Sequence, residues 1–189
     1  MIKIGILGDI GSGKSYVARK FGYPVFNADY EVAKLYQQNK KLFNKLKKSL
    51  PKYIYSFPVE KKEISNAILA NKNNLNKIVK IVHNEVRKKM HIFLEKHKNK
   101  KIVILDVPLL LENKINKKKD ILVFIQSKQS DIAKRLKKRK NFNQELLKKF
   151  KNIQFSVKYK KKKSNFIIKN DFTNKTVDDG VKNILMEIA

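Results

Sequence analysis

The eight residues Gly8-Asp-Ile-Gly-Ser-Gly-Lys-Ser15 constrain this chain more than any other stretch. They fit the pattern G-x-x-x-x-G-K-[ST] and fall between an apolar run over 2–7 and a helical pattern over 14–21. The chain has six glycines, and four of them lie at positions 5, 8, 11 and 13. Concentrating glycine at one turn signals backbone conformations that other residues resist. The chemistry explains the spacing. Successive N–H groups turn inward to cradle phosphate oxygens, and the helix opening at Gly13–Lys14 adds its positive end. Lys14 would reach the β- and γ-phosphates of a nucleotide, and the Ser15 hydroxyl would coordinate Mg²⁺. Hydrolases, nucleotide switches and small-molecule kinases all carry such a loop, so the loop alone leaves the reaction open.

The remaining pattern supplies a frame for it. Residues 23–27 read as a second short strand, and 101–106, 120–125 and 166–169 as three more. Helical patterns cover 28–37, 131–140, 144–152 and 177–188, and most of 40–97 with interruptions at Pro51 and Pro58. Gly22 is placed to close the first helix. Strands separated by helices predict an α/β fold with a parallel sheet covered on both faces. A chain of 189 residues suits one domain with an insertion.

The absence of cysteine removes disulfide frameworks, thiolate zinc sites and cysteine nucleophiles. His83, His91 and His97 lack the i,i+4 spacing of a helical zinc pair. No apolar run approaches the roughly 20 residues that span a bilayer, so a protein of the reducing cytoplasm without membrane attachment is expected.

Charge is the anomaly. There are 45 Lys+Arg against 16 Asp+Glu, a net +29, yet the only arginines are Arg19, Arg87, Arg135 and Arg139. Such a charge attracts polyanions in general. A surface that reads nucleic acid usually carries more arginine, and no aromatic stacking motif accompanies the lysines. No specific nucleic-acid partner is expected.

Two carboxylates stand where strands end. Asp29 follows the second strand in Phe26-Asn-Ala-Asp29, on the side where a doubly wound sheet binds its ligand. There it could accept a proton from an acceptor hydroxyl, hold Mg²⁺ through water, or simply cap the next helix. Asp106 ends the strand over 101–106, a common place for a magnesium-orienting carboxylate and also a natural turn residue before Val107-Pro108. Glu112, six residues on, is read as a cap or an ion-pair partner. Residues 134–169 hold fifteen Lys+Arg and one acid, Glu145. Arg135 and Arg139, four apart, are expected on one helix face as a phosphate clamp in a mobile basic lid, with the 160–163 lysine run solvated.

Together these residues resemble the dephospho-CoA kinase family. The resemblance is carried by Gly5–Ser15, Phe26-Asn-Ala-Asp29, Leu69-Ala-Asn71 leading to Val82-His83, Asp106-Val-Pro-Leu-Leu-Leu-Glu112, Arg135-x-x-x-Arg139, Gln154 and Ile167-Ile-Lys-Asn170, in family order over almost the whole chain. It implies a three-layer P-loop kinase fold spanning 1–189, with a parallel sheet, a helical acceptor-binding insertion at about 40–97 and a basic lid at about 134–165. The implied reaction moves the γ-phosphate of ATP to the ribose 3′-hydroxyl of dephospho-CoA, giving CoA and ADP. By the same resemblance Gly11, Ser12, Gly13, Lys14, Ser15 and Tyr16 bind ATP, and Asp29 is the base. From the loop chemistry and the basic segment, Lys14 and Arg139 would act on the transferring group, Arg135 would bind the nucleotide from the lid, and Ser15 with Asp106 would serve Mg²⁺. The chain departs from the family at Asp9, at Tyr16 in place of threonine, at Asn27 in place of aspartate, at Asn84 and at Ser164-Asn165. The competing readings are another small-molecule kinase, with a nucleoside monophosphate or shikimate-like acceptor, and a nucleic-acid-binding phosphate-loop protein. Oligomeric state is not legible.

Overall fold

The computed structural model describes residues 1–140 and 142–188; Asn141, inside the expected lid, and Ala189 lie outside the described residues. Contacts divide the chain into two compact units. One comprises Met1–Asn27, His97–Phe142 and Ile153–Ala189, and the other Ala28–Lys96 and Asn143–Asn152.

The first unit is built on five strands, β1 (Ile2–Gly8), β2 (Val25–Asn27), β3 (Ile102–Asp106), β4 (Ile121–Gln126) and β5 (Phe166–Lys169). They form one sheet in the order β2-β3-β1-β4-β5, with every pairing parallel. All five expected strands are present. Side chains alternate across a strand, and both phases here are apolar because both faces are covered. Ile4, Ile6, Ile102, Ile104, Val123 and Ile125 pack with Val17 and Ala18 of α1 (Lys14–Lys20) and with Val177, Val181 and Ile184 of α9 (Asn174–Ile188). The opposite phase, Val103, Leu105, Leu122 and Phe124, is equally buried. At Gly5 a Cβ would come 2.4 Å from Leu110 Cδ2, so the bare backbone lets the segment after β3 lie against β1. Gly22, at φ +71°, stands just past the Phe21 cap of α1, as the sequence suggests.

One helix was not legible. The lysine run at 160–163 belongs to α8 (Val157–Lys163), which starts at Ser156, whose side chain accepts from Tyr159 N at 3.2 Å. The expectation that the whole run is solvated is corrected at Lys160, which is only 2% exposed. Its Nζ lies 3.0 Å from Glu112 Oε1 and donates to Gln154 Oε1 at 2.8 Å. Helical winding turns one of four consecutive lysines inward, and pairing lets that charge stay buried. Glu112 is therefore an ion-pair partner, and its Oε1 also accepts Phe155 N at 2.8 Å.

The second unit is helical: α2 (Ala28–Gln38), α3 (Lys40–Ser49), α4 (Lys61–Ala70), α5 (Lys72–Lys96) and α7 (Gln144–Asn152). α2, α3 and α4 pack on the long α5, and α7 packs on α4. Leu42, Leu46, Ile54, Ala67, Ile68, Leu75, Ile78, Val82 and Val86 are among its buried residues. The break between α4 and α5 needs no proline. Asn71 leaves the helical region at φ −152°, and its side chain accepts Asn73 N at 2.8 Å to start the next helix. Lys149 of α7 donates to Ile68 O at 3.1 Å and Leu69 O at 2.8 Å, satisfying carbonyls at the C-terminal end of α4. Residues 134–165 are thus divided, with α7 in the helical unit and α8 in the sheet unit.

Candidate active site

The loop joining β1 to α1 turns on glycines with positive φ, +89° at Gly11 and +90° at Gly13. Each glycine also admits a neighbour. A Cβ on Gly11 would lie 3.0 Å from Leu136 Cγ and 3.1 Å from Ile132 Cγ2, both on α6 (Gln129–Lys137). A Cβ on Gly13 would lie 2.4 Å from Asn170 Nδ2, in the turn after β5. The loop is therefore enclosed by α6 on one side and by the ends of β4 and β5 on another. Ser12, 1% exposed, is held through its carbonyl by Ser127 Oγ at 3.0 Å and Asn170 Nδ2 at 2.9 Å. Ser12 N donates to Asp9 O at 3.2 Å. Lys14 folds back along the loop, its Nζ donating to Asp9 O at 2.8 Å and Gly8 O at 3.3 Å.

Asp9, where the family pattern departs, is tied locally. Its Oδ1 accepts Ile10 N at 2.7 Å, and its Oδ2 accepts Gln129 Nε2 at 3.3 Å. Tyr16 donates its hydroxyl to Asn174 Oδ1, binding the first turn of α1 to the start of α9.

At the adjoining strand ends, Asn27 and Asp106 are register partners, and Asn27 Nδ2 donates to Asp106 Oδ2 at 2.6 Å. Asp106 is buried as the last residue of β3, so its carboxylate is oriented by a neighbouring strand rather than by a turn of its own. Asp29 is the second residue of α2 and lies within the first turn, so it is not the residue that caps that helix.

The two lid arginines do not share a helix face, which corrects the sequence expectation. α6 ends at Lys137, Lys138 caps it, and Arg139 enters the following turn with its N–H on Leu136 O at 3.1 Å. Six cations crowd residues 134–140, and their repulsion disfavours a longer helix. Arg135 remains on α6, with its guanidinium carbon 4.3 Å from the centre of the Phe172 ring. Phe172 sits two residues after Asn170, at φ +68°. Next to it, the N–H of Thr173, then its hydroxyl, then that of Thr176 hold Asp171 below the ordinary aspartate range. That carboxylate so anchors the start of α9.

Ser127, Phe172 and the Asn27–Asp106 pairing were missed by reading motifs. The usable signal was position: each follows or ends a parallel strand, where such sheets place their ligand. Among the described residues no group of three His, Cys, Asp or Glu could hold a metal ion, and no helix is long and apolar enough to cross a membrane.

The family model described as dephospho-CoA kinase matches residues 2–176. A dephospho-CoA kinase from Wolbachia sp. subsp. Brugia malayi is 34% identical over 191 residues, covering 98% of this chain and 97% of the relative. Among solved structures, a Thermus thermophilus protein superposes with a TM-score of 0.76 at 24% identity, covering 100% of this chain and 98% of its own. The dephospho-CoA kinase from Campylobacter jejuni superposes with a TM-score of 0.65 at 21% identity, covering 98% and 96%. These two likenesses show the fold.

Proposed function

The chain belongs to the dephospho-CoA kinase family, and from that premise we propose how its residues divide the work. The reaction is the ATP-dependent phosphorylation of dephospho-CoA, the last step of coenzyme A biosynthesis. The ribose 3′-oxygen forms a bond to the γ-phosphorus while the bond from that phosphorus to the β–γ bridging oxygen breaks, leaving CoA and ADP. Asp29 takes the hydroxyl proton. The loop amides from Gly11 to Tyr16 and the Lys14 ammonium grip the β- and γ-phosphates. Arg139 meets the charge that develops on the transferring group, and Arg135 closes over the nucleotide from the lid.

The donor set suits Mg²⁺. Ser15 offers a hydroxyl and Asp106 a carboxylate oriented by Asn27. Two hard oxygen donors fit a cation that takes its other ligands from phosphates and water. When bound, Mg²⁺ neutralises phosphate charge. The helices around α5 form the acceptor-binding part, and the segment over about 134–165 acts as the lid. We assign the enzyme to the cytoplasm, with dephospho-CoA as its small-molecule partner.

The observation that carries this reading is the loop: two positive-φ glycines and the lysine that follows them, in a chain matching the family over 2–176. The test is coupled ADP release with dephospho-CoA, nucleoside monophosphates, shikimate or no acceptor. Release that depends on dephospho-CoA supports the proposal. Equal release with a nucleoside monophosphate or without acceptor overturns it.

A further inference from the structure

Two side chains outside the loop converge on a single backbone oxygen within it. The Ser12 carbonyl accepts from Ser127 Oγ at 3.0 Å and from Asn170 Nδ2 at 2.9 Å. Ser127 follows β4 directly and Asn170 follows β5 directly, so both donors are anchored in the sheet. Asn170 is 2% exposed, and its amide orientation is set. Its oxygen accepts Phe172 N at 2.9 Å, which leaves its nitrogen to donate, and its own N–H is held by Gln126 O at 2.8 Å.

The consequence follows from peptide geometry. A trans peptide is planar, with its C=O and N–H pointing to opposite sides. Fixing the Ser12 oxygen toward the ends of β4 and β5 therefore fixes the Gly13 N–H in the opposite direction. Among the described residues no backbone carbonyl accepts the Gly13 N–H. Without the two donors, this peptide could rotate, because Gly13 has no Cβ to restrict it. A side chain at Gly13 would also strike Asn170 Nδ2, so the glycine and the asparagine require each other.

We infer that Ser127 and Asn170 are positioning residues for the phosphate loop, locking the Ser12–Gly13 peptide so that the Gly13 amide is presented to the phosphate of the bound nucleotide. The inference rests on the phosphate-loop reading above, but not on the identity of the acceptor. Asn170 is pre-organised by the bonds from Phe172 N to its oxygen and from its own N–H to Gln126 O, so binding need not order that donor.

Calorimetric titration with ADP, beside steady-state kinetics and thermal melting, tests it. ADP affinity is expected to fall about tenfold in Asn170→Ala and about threefold in Ser127→Ala. The KM for dephospho-CoA should stay unchanged, and Ser127→Thr, which keeps the hydroxyl, should restore ADP binding. A Tm within a few degrees of the starting protein separates a lost grip from lost folding. Should Asn170→Ala fail to fold, the Ser127 pair decides alone. ADP affinity within twofold of the starting protein in folded Ser127→Ala, or Ser127→Thr as weak as Ser127→Ala, overturns the inference. Failure of the unmodified protein to bind ADP overturns the phosphate-loop reading instead.

Discussion

Buried polar groups do different things in the two units. In the sheet unit, Ser12, Asp106 and Asn170 are buried at the end of the sheet where the loop lies, Lys160 is paired with Glu112, and Asp120 Oδ2 accepts Lys117 N at 2.8 Å before β4. Three of these five sit on or against the phosphate loop or the C-terminal end of a strand. In the helical unit the buried polar residues are Glu63 and Asn74 among the described residues, and both serve the backbone. Glu63 Oε1 accepts Tyr55 N at 3.3 Å and Ser56 N at 2.9 Å, and Asn74 Nδ2 donates to Ala67 O at 2.8 Å. Most buried polar groups have a partner, and the partner tells what such a group is for. In the sheet unit three such groups gather at the phosphate loop and the strand ends beside it, whereas in the helical unit both hold turns and helix ends.

The sharpest way to break this contrast is Lys14→Ala. It should lower kcat by about 10³-fold, roughly 4 kcal/mol of barrier, with little change in Tm. Turnover near that of the unmodified enzyme would remove the loop from the chemistry. Next in size is Lys160→Met, which leaves Glu112 buried without its cation. A loss of about 3 kcal/mol in urea-unfolding stability is expected, and Glu112→Leu in the same chain should recover much of it. A single-variant loss below about 0.5 kcal/mol would show that the pair is not buried in solution.

The smallest effect lies in the helical unit. Burial pushes the Tyr36 phenol well above its ordinary value of 10.0. A raised value means the folded state holds the proton more tightly. Its contribution to stability is complete below about pH 10 and declines as the solution becomes more alkaline. Thermal melts of Tyr36→Phe and the unmodified protein should agree at pH 8, with the tyrosine form lower by about 2–4 °C at pH 11. Parallel curves would place the phenol in water.

The same contrast explains what could be read in advance. The five strands were legible because buried parallel strands are continuous apolar runs, and the loop because its glycines and Lys14 are contiguous. α8 was not legible, because Tyr159-Lys-Lys-Lys-Lys163 shows no apolar face; its inward residue is itself a lysine, held by the distant Glu112 together with Gln154. Arg135 and Arg139 have the spacing of one helix face, but the helix stops between them. Ser127 is marked in the sequence only by its place after a strand, since its partner is a carbonyl 115 positions away. Contacts between distant segments set these features, and local pattern does not record them.

Asp29→Asn tests the proposed division of labour most directly, since Asp29 belongs to the helical unit and Gly8–Ser15 to the sheet unit. The amide keeps the shape of the carboxylate and removes its capacity to take a proton. The account predicts a kcat for dephospho-CoA lower by about 10²–10⁴-fold with ADP affinity within twofold of the unmodified enzyme. Activity within about threefold, or a loss of ADP affinity as large as the loss of kcat, would contradict it.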